Sequence, residues 1–207
     1  GAPVERVKHY EKGLVLKETD AKSALKELRE FAEHTLKWQQ IPVREKKILF
    51  VGEEISFASR YRVEHFREQL HYQGYGSDFY QVDEVKDLDW DAYRAVVCYR
   101  CSREDVVCKV VEQAKKTGLN VYYDIDDLIF DYERISYLHF LTGSEYKDFK
   151  KTTEQIHSCM ELCDGYFTST DTLAGEIRRE FPGKPVVINR NCASMEMQIL
   201  SHDAVEQ

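Results

Sequence analysis

Lys47-Ile-Leu-Phe-Val-Gly52, Ala95-Val-Val-Cys-Tyr99 and Asn120-Val-Tyr-Tyr-Asp124 are short apolar runs, each followed by polar residues and then by a segment of helical length. Runs rich in β-branched and aromatic residues, with little polar alternation, suit strands buried on both faces, as in a parallel sheet. Working outward, Asp78-Phe-Tyr-Gln-Val82, Gly165-Tyr-Phe-Thr-Ser169 and Pro185-Val-Val-Ile-Asn189 fit the same pattern. Helices are expected between them, over 60–73, 103–117, 144–163 and 171–180, with Gly74 and Gly118 placed to end the first two. A strand and helix alternation of this kind predicts an α/β fold: a Rossmann-like parallel β-sheet with helices on both faces.

Residues 1–45 have a different texture. In Ala21-Lys-Ser-Ala-Leu-Lys-Glu-Leu-Arg-Glu-Phe-Ala-Glu-His-Thr-Leu-Lys-Trp38, Ala24, Leu25, Leu28, Phe31, Ala32 and Thr35 recur at helical period. The expected organisation is an N-terminal amphipathic helical extension (1–45), a Rossmann-like domain (46–191) and a tail (192–207) that reads as the start of an interdomain connector. The chain opens on Gly-Ala-Pro without Met, which is expected of a piece of something longer.

Composition narrows the class of function. The 207 residues are 43% hydrophobic and 12% aromatic, enough apolar material for a real core. Twenty-nine Lys and Arg against 37 Asp and Glu give a net charge of −8, which argues against a nucleic-acid partner. No apolar stretch approaches the roughly 18 to 20 residues that span a bilayer, and no secretory signal is present, so a soluble, cytoplasmic chain is expected.

The six cysteines are Cys98, Cys101, Cys108, Cys159, Cys163 and Cys192. Cys98 sits in an apolar run, and Cys159 and Cys163 stand at helical spacing, so buried free thiols are expected. Cys98-Tyr-Arg-Cys101 has the spacing of half a zinc knuckle but lacks a second half at a useful distance. No metal site is expected.

In an open parallel sheet, ligands bind beyond the carboxyl ends of the strands. Those places hold Gly52-Glu-Glu-Ile-Ser-Phe-Ala-Ser-Arg-Tyr-Arg62, Arg100, Asp124-Ile-Asp-Asp127, Ser169-Thr-Asp171 and Asn189-Arg-Asn191. The first loop has one glycine and not G-x-G-x-x-G, which disfavours a dinucleotide. Arg60 and Arg62 oppose the dipole at the start of a helix, so they suggest either a bound anion or pairing with Glu53 or Glu64. The clustered carboxylates Asp124, Asp126 and Asp127 need compensation. A metal, an acceptor hydroxyl, or pairing with Arg100 across strand ends would each supply it. A haloacid-dehalogenase-type phosphatase or a receiver domain would place its acids after the first strand, and the former would have Thr or Val where Leu128 stands.

The order of five blocks resembles the N-terminal half of a GT-B-fold glycosyltransferase of the kind that builds bacterial surface polysaccharide. They are Ser59-Arg-Tyr-Arg-Val63 with Gln69, Leu70 and Gly74; Val96, Val97 and Arg100; Val121-Tyr-Tyr-Asp-Ile-Asp-Asp-Leu-Ile-Phe130; Cys163-Asp-Gly-Tyr-Phe-Thr-Ser-Thr170 with Leu173 and Ala174; and Lys184-Pro-Val-Val-Ile-Asn-Arg-Asn191. The resemblance spans about residues 47 to 195. It implies a nucleotide-sugar co-substrate, a saccharide or lipid-linked acceptor, no obligatory metal, and a donor-binding second domain that this chain does not carry, so that the piece alone is expected to be inactive. By that resemblance Asp126 or Asp127 orients or deprotonates the acceptor hydroxyl. Ser59, Arg60, Arg62, Arg100, Thr170 and Asn189 are the expected substrate contacts. A lipid-linked acceptor would bring peripheral contact with the inner face of the membrane. Glu53 and Glu54 depart from the family, which often has a glycine-rich loop there. The rival expectation is a non-catalytic Rossmann-like module that binds a sugar or a protein within a larger assembly.

Overall fold

The computed structural model describes residues 46–53, 56–85, 88–135, 143–195, 197–199 and 201. The expected N-terminal helix lies outside them. β1 (Lys47–Gly52) leads into α1, which runs as a turn Phe57–Ser59, a π-helical segment Arg60–Glu64 and a regular stretch His65–Tyr72. After β2 (Ser77–Gln81), single helical turns at Val82–Glu84 and Trp90–Ala92 carry the chain back to β3 (Tyr93–Tyr99). Then follow α2 (Glu104–Lys116), β4 (Asn120–Asp124), α3 (Tyr132–Ile135), α4 (Gly143–Leu162), β5 (Gly165–Thr168), α5 (Asp171–Glu180) and β6 (Val186–Ile188). Every expected strand is present, with ends displaced by at most two residues.

The sheet order is β2-β1-β3-β4-β5-β6, and every neighbouring pair is parallel. The chain steps from β1 to one side, returns past it to β3, and then continues the other way. The reversal falls between β1 and β3, and a doubly wound sheet opens its ligand crevice at that point.

The period of two along each strand divides the core between the two faces. Phe50, Val97 and Tyr99 meet α1 through Val63, Phe66 and Leu70, with Phe79 and Phe167 packed beside them. Leu49, Val51, Val96, Cys98, Val121, Tyr123 and Tyr166 form the other face with Val107, Val110 and Val111 of α2, Ile156, Cys159 and Met160 of α4, and Leu173 and Ile177 of α5. Each such apolar side chain contributes on the order of 1.5–3 kcal/mol on burial. The chain is thus an α/β protein with helices on both faces of an all-parallel sheet.

Two glycines end helices as the sequence predicts. Gly118 has φ +70°, and the Leu119 amide donates to the Ala114 carbonyl at 2.8 Å, closing α2. Gly74, at φ +79°, closes α1 in the same way, with the Tyr75 amide on the Leu70 carbonyl. Gly165 is needed for space: a Cβ there would stand 2.8 Å from the Pro185 ring, where β5 and β6 meet. All six cysteines are free, and Cys98, Cys159 and Cys163 are buried as their settings predict; Cys101 is buried as well, whereas Cys108 is half-buried and Cys192 exposed, against the expectation of buried thiols. Among the described residues, no helix is long and apolar enough to cross a membrane.

Candidate functional site

The carboxyl ends of β1, β3, β4 and β6 bring the sequence-predicted residues together, and the chain itself satisfies many of them. Arg62 is fully buried. Its Nε and Nη2 each donate at 2.8 Å to the two oxygens of Asp124, while Nη1 donates to the Asn189 carbonyl and, at 3.0 Å, to Asn191 Oδ1. A bidentate guanidinium–carboxylate pair with its remaining donors satisfied is the form in which a buried charge pair is tolerated. Arg62, expected to meet an anionic ligand, therefore ties α1 to β4 and to the segment leaving β6. Burial pushes the Asp124 carboxyl up to about 6, against the pull of Arg62.

Arg100 lies at the mouth. It is the one non-glycine residue with positive φ among those described, at +46°, a conformation that costs an ordinary side chain roughly 1–2 kcal/mol. That turn at the end of β3 carries the guanidinium to the loop after β4. Nε donates to Asp126 Oδ1 at 3.0 Å, and Nη2 donates to the same oxygen at 2.7 Å and to Asp127 Oδ2. Burial opposes the charge on Arg100, but Asp126, Tyr99 and Asp127 together raise its pKa. The Asp126 side chain is 10% exposed and that of Asp127 is 58% exposed. Of the two acids, Asp127 is the one open to a ligand.

Glu53 does what the sequence reading did not foresee. Its carboxylate accepts from the Ser102 amide, from the Arg103 amide at 2.7 Å and from Ser102 Oγ at 3.0 Å. It therefore sits on the N-terminus of α2, where unpaired amides and the helix dipole favour an anion. The available signal was a negative one: no Ser, Thr, Asp or Asn stands at the Arg103 cap, so the cap had to come from elsewhere.

The remaining expected residues divide between local roles and exposure. Ser59 is buried in a capping box with Ser56, donating to the Ser56 carbonyl at 2.7 Å. Thr170 caps α5 by accepting from the Leu173 amide at 3.2 Å, and Asn189 contributes its carbonyl to Arg62. Arg60 is exposed, makes no ion pair among the described residues, and lines an open groove of about 620 Å³ along α1 with Ser56, His65, Arg67 and Ser194.

One buried polar atom here, His65 Nε2, lacks a hydrogen-bond partner. The Tyr99 phenol, at the end of β3, is pushed up to about 12, first by burial and further by Asp126 and Asp124, while Arg100 and a side-chain hydrogen bond with Ser56 pull it down. The other nitrogen of His65, Nδ1, stands 2.8 Å from the Cys192 carbonyl, to which it can only donate, so Nε2 of the neutral ring is an acceptor. Among the described residues, no group of His, Cys, Asp and Glu is arranged to hold a metal ion. No protein-family model matches the chain, and no curated protein matches it.

Proposed function

We propose that this chain is the acceptor-side half of a glycosyltransferase with two facing Rossmann-like domains, which moves a sugar from a nucleotide-sugar donor to a hydroxyl of a saccharide or lipid-linked acceptor. The observation that carries the reading is Asp127, an exposed carboxylate anchored by the left-handed Arg100 at the carboxyl edge of the sheet. A non-glycine residue held in this conformation is tolerated where surrounding contacts over-determine it, and such residues cluster at functional sites. In this account Asp127 accepts the proton of the acceptor hydroxyl as that oxygen bonds to the anomeric carbon of the sugar. The bond from that carbon to the donor's phosphate oxygen breaks, and the nucleotide leaves with the electron pair. Asp126 acts through Arg100 as a positioning residue. The donor nucleotide is gripped by a second domain, and the acceptor's lipid would bring the protein to the inner face of the membrane.

The test is transfer of labelled sugar from a panel of nucleotide sugars by the longer protein that carries this domain, with Asp127→Asn alongside. Loss of transfer at unchanged thermal stability supports the assignment, and retained transfer removes it. One observation favours a second reading, a non-catalytic module that binds sugar or protein: Arg62 and Arg100 are both paired with the chain's own carboxylates. Saccharide binding without transfer in the same assay would select it.

A further inference from the structure

We propose that the π-helical turn of α1 builds a binding site for a carboxylate-bearing sugar, with Arg60 on the carboxylate, His65 Nε2 on a hydroxyl and Phe57 against the ring. The inference goes beyond sugar transfer and does not rest on it, because binding alone tests it. Five residues along a regular α-helix stand about 140° round its axis, so Arg60 and His65 would face different ways. Here the His65 amide donates to the Arg60 carbonyl, five residues back, across the π-helical run Arg60–Glu64. The wider turn brings the two residues toward one side, and both line the groove of about 620 Å³ along α1. Short π turns inside α-helices recur at functional sites.

The chain leaves a capacity unused in each of the three side chains. His65 is 4% exposed. Its Nδ1 is committed to the Cys192 carbonyl at 2.8 Å, which makes Nε2 of the neutral ring an acceptor, and no donor reaches it among the described residues. Buried polar atoms are rarely left so, and a ligand hydroxyl supplies the missing donor. Arg60 is exposed and makes no ion pair among the described residues. Arg67, the other arginine of the groove, is taken by Glu64 and Ser77. Phe57 is 75% exposed, with the Tyr61 ring edge-on to it at 5.4 Å.

Together these capacities describe one class of ligand. An anion for Arg60, a hydroxyl for His65 and an apolar ring face for Phe57 are the parts of an acidic sugar. The charge balance selects the acid. Glu64 and Glu68 also line the groove. Beside a single unpaired guanidinium they penalise a phosphate ester, which carries about −1.5 to −2 charges, more than a carboxylate, which carries one.

The experiment follows the imidazole nitrogens of the isotope-labelled chain at a pH that keeps the rings neutral. Sodium glucuronate, glucose and glucose 6-phosphate are added in separate titrations at constant ionic strength. Glucuronate is expected to move His65 Nε2 saturably and to bind more tightly than either of the others. In Arg60→Gln its affinity is expected to fall about tenfold or more, as for losing a hydrogen bond to a charged group, with glucose unaffected. Arg60 is exposed, so this variant leaves the core intact. Absence of a saturable shift with glucuronate, equal affinity for glucose, tighter binding of glucose 6-phosphate, or unchanged affinity in Arg60→Gln would each overturn the proposal. Sugar transfer does not enter the readout, so failure of the transferase reading leaves this result standing.

Discussion

Arg62 and Asp124 face each other with both side chains almost wholly enclosed, Nε to Oδ1 and Nη2 to Oδ2, each at 2.8 Å. The pair joins the first helix after β1 to the end of β4, 62 residues along the chain. Through Asn189 and Asn191, Arg62 also fixes the segment that leaves β6.

Breaking that pair from one side leaves a buried charge uncompensated. Arg62→Met is expected to lower the unfolding free energy by about 3–5 kcal/mol. The double change Arg62→Met with Asp124→Leu should cost much less than the sum of the single changes. Urea melts of the two single variants and the double variant measure the coupling.

Asp124 also sets a pH dependence. Its carboxyl is pushed up to about 6 by burial, while an unfolded aspartate titrates near about 3.9. Between about pH 4 and 6 the folded chain holds the extra proton, so this group makes stability fall as pH rises. Asp171, lowered by Arg190, works with the opposite sign at the acid end. Denaturant melts across the window should show the fall in the wild type and its loss in Asp124→Asn.

Glu53 caps α2 from a distant loop. Glu53→Ala should cost roughly 0.5–2 kcal/mol, the range for losing an N-terminal cap. Faster amide exchange should be confined to the first turn of α2. Hydrogen exchange of Ser102, Arg103 and Glu104 checks this.

The thiols should divide by burial. Cys192 is exposed, Cys108 is half-buried, and Cys98, Cys101, Cys159 and Cys163 are enclosed, with burial or thiol neighbours raising the pKa of Cys98, Cys159 and Cys163. Titration with a chromogenic disulfide in native buffer is expected to show Cys192 reacting first and Cys108 more slowly. The four buried thiols should react only after denaturant is added.

The strands were legible because a parallel sheet buries both faces, so each strand is a plain apolar run, as in Leu49, Phe50 and Val51 or Val96, Val97 and Cys98. The two helix-ending glycines were legible for the same local reason. What could not be read was which charge meets which. Arg62 and Asp124, and Glu53 and Ser102, are joined by strand order, and strand order is a long-range property. The π-helical segment of α1 was hidden too, since Arg60-Tyr-Arg-Val-Glu64 carries an ordinary helical composition. Pairing of Arg100 with the acids across strand ends was one of the readings open in the sequence and is what the structure has, whereas Arg62 was set against an anion, Glu53 or Glu64, because nothing in a linear chain shows that Asp124 reaches it first.

The central claim is that Asp127, at the carboxyl edge of this sheet, takes the proton of an acceptor hydroxyl. The most direct test is the turnover of sugar transfer by the proposed two-domain protein with Asp127→Asn, compared at equal thermal stability with the wild type. A loss of about 10²–10⁴-fold in kcat, the usual contribution of a general base, is predicted. Turnover within about twofold of the wild type would contradict the account, since it leaves no room for a contribution of that size.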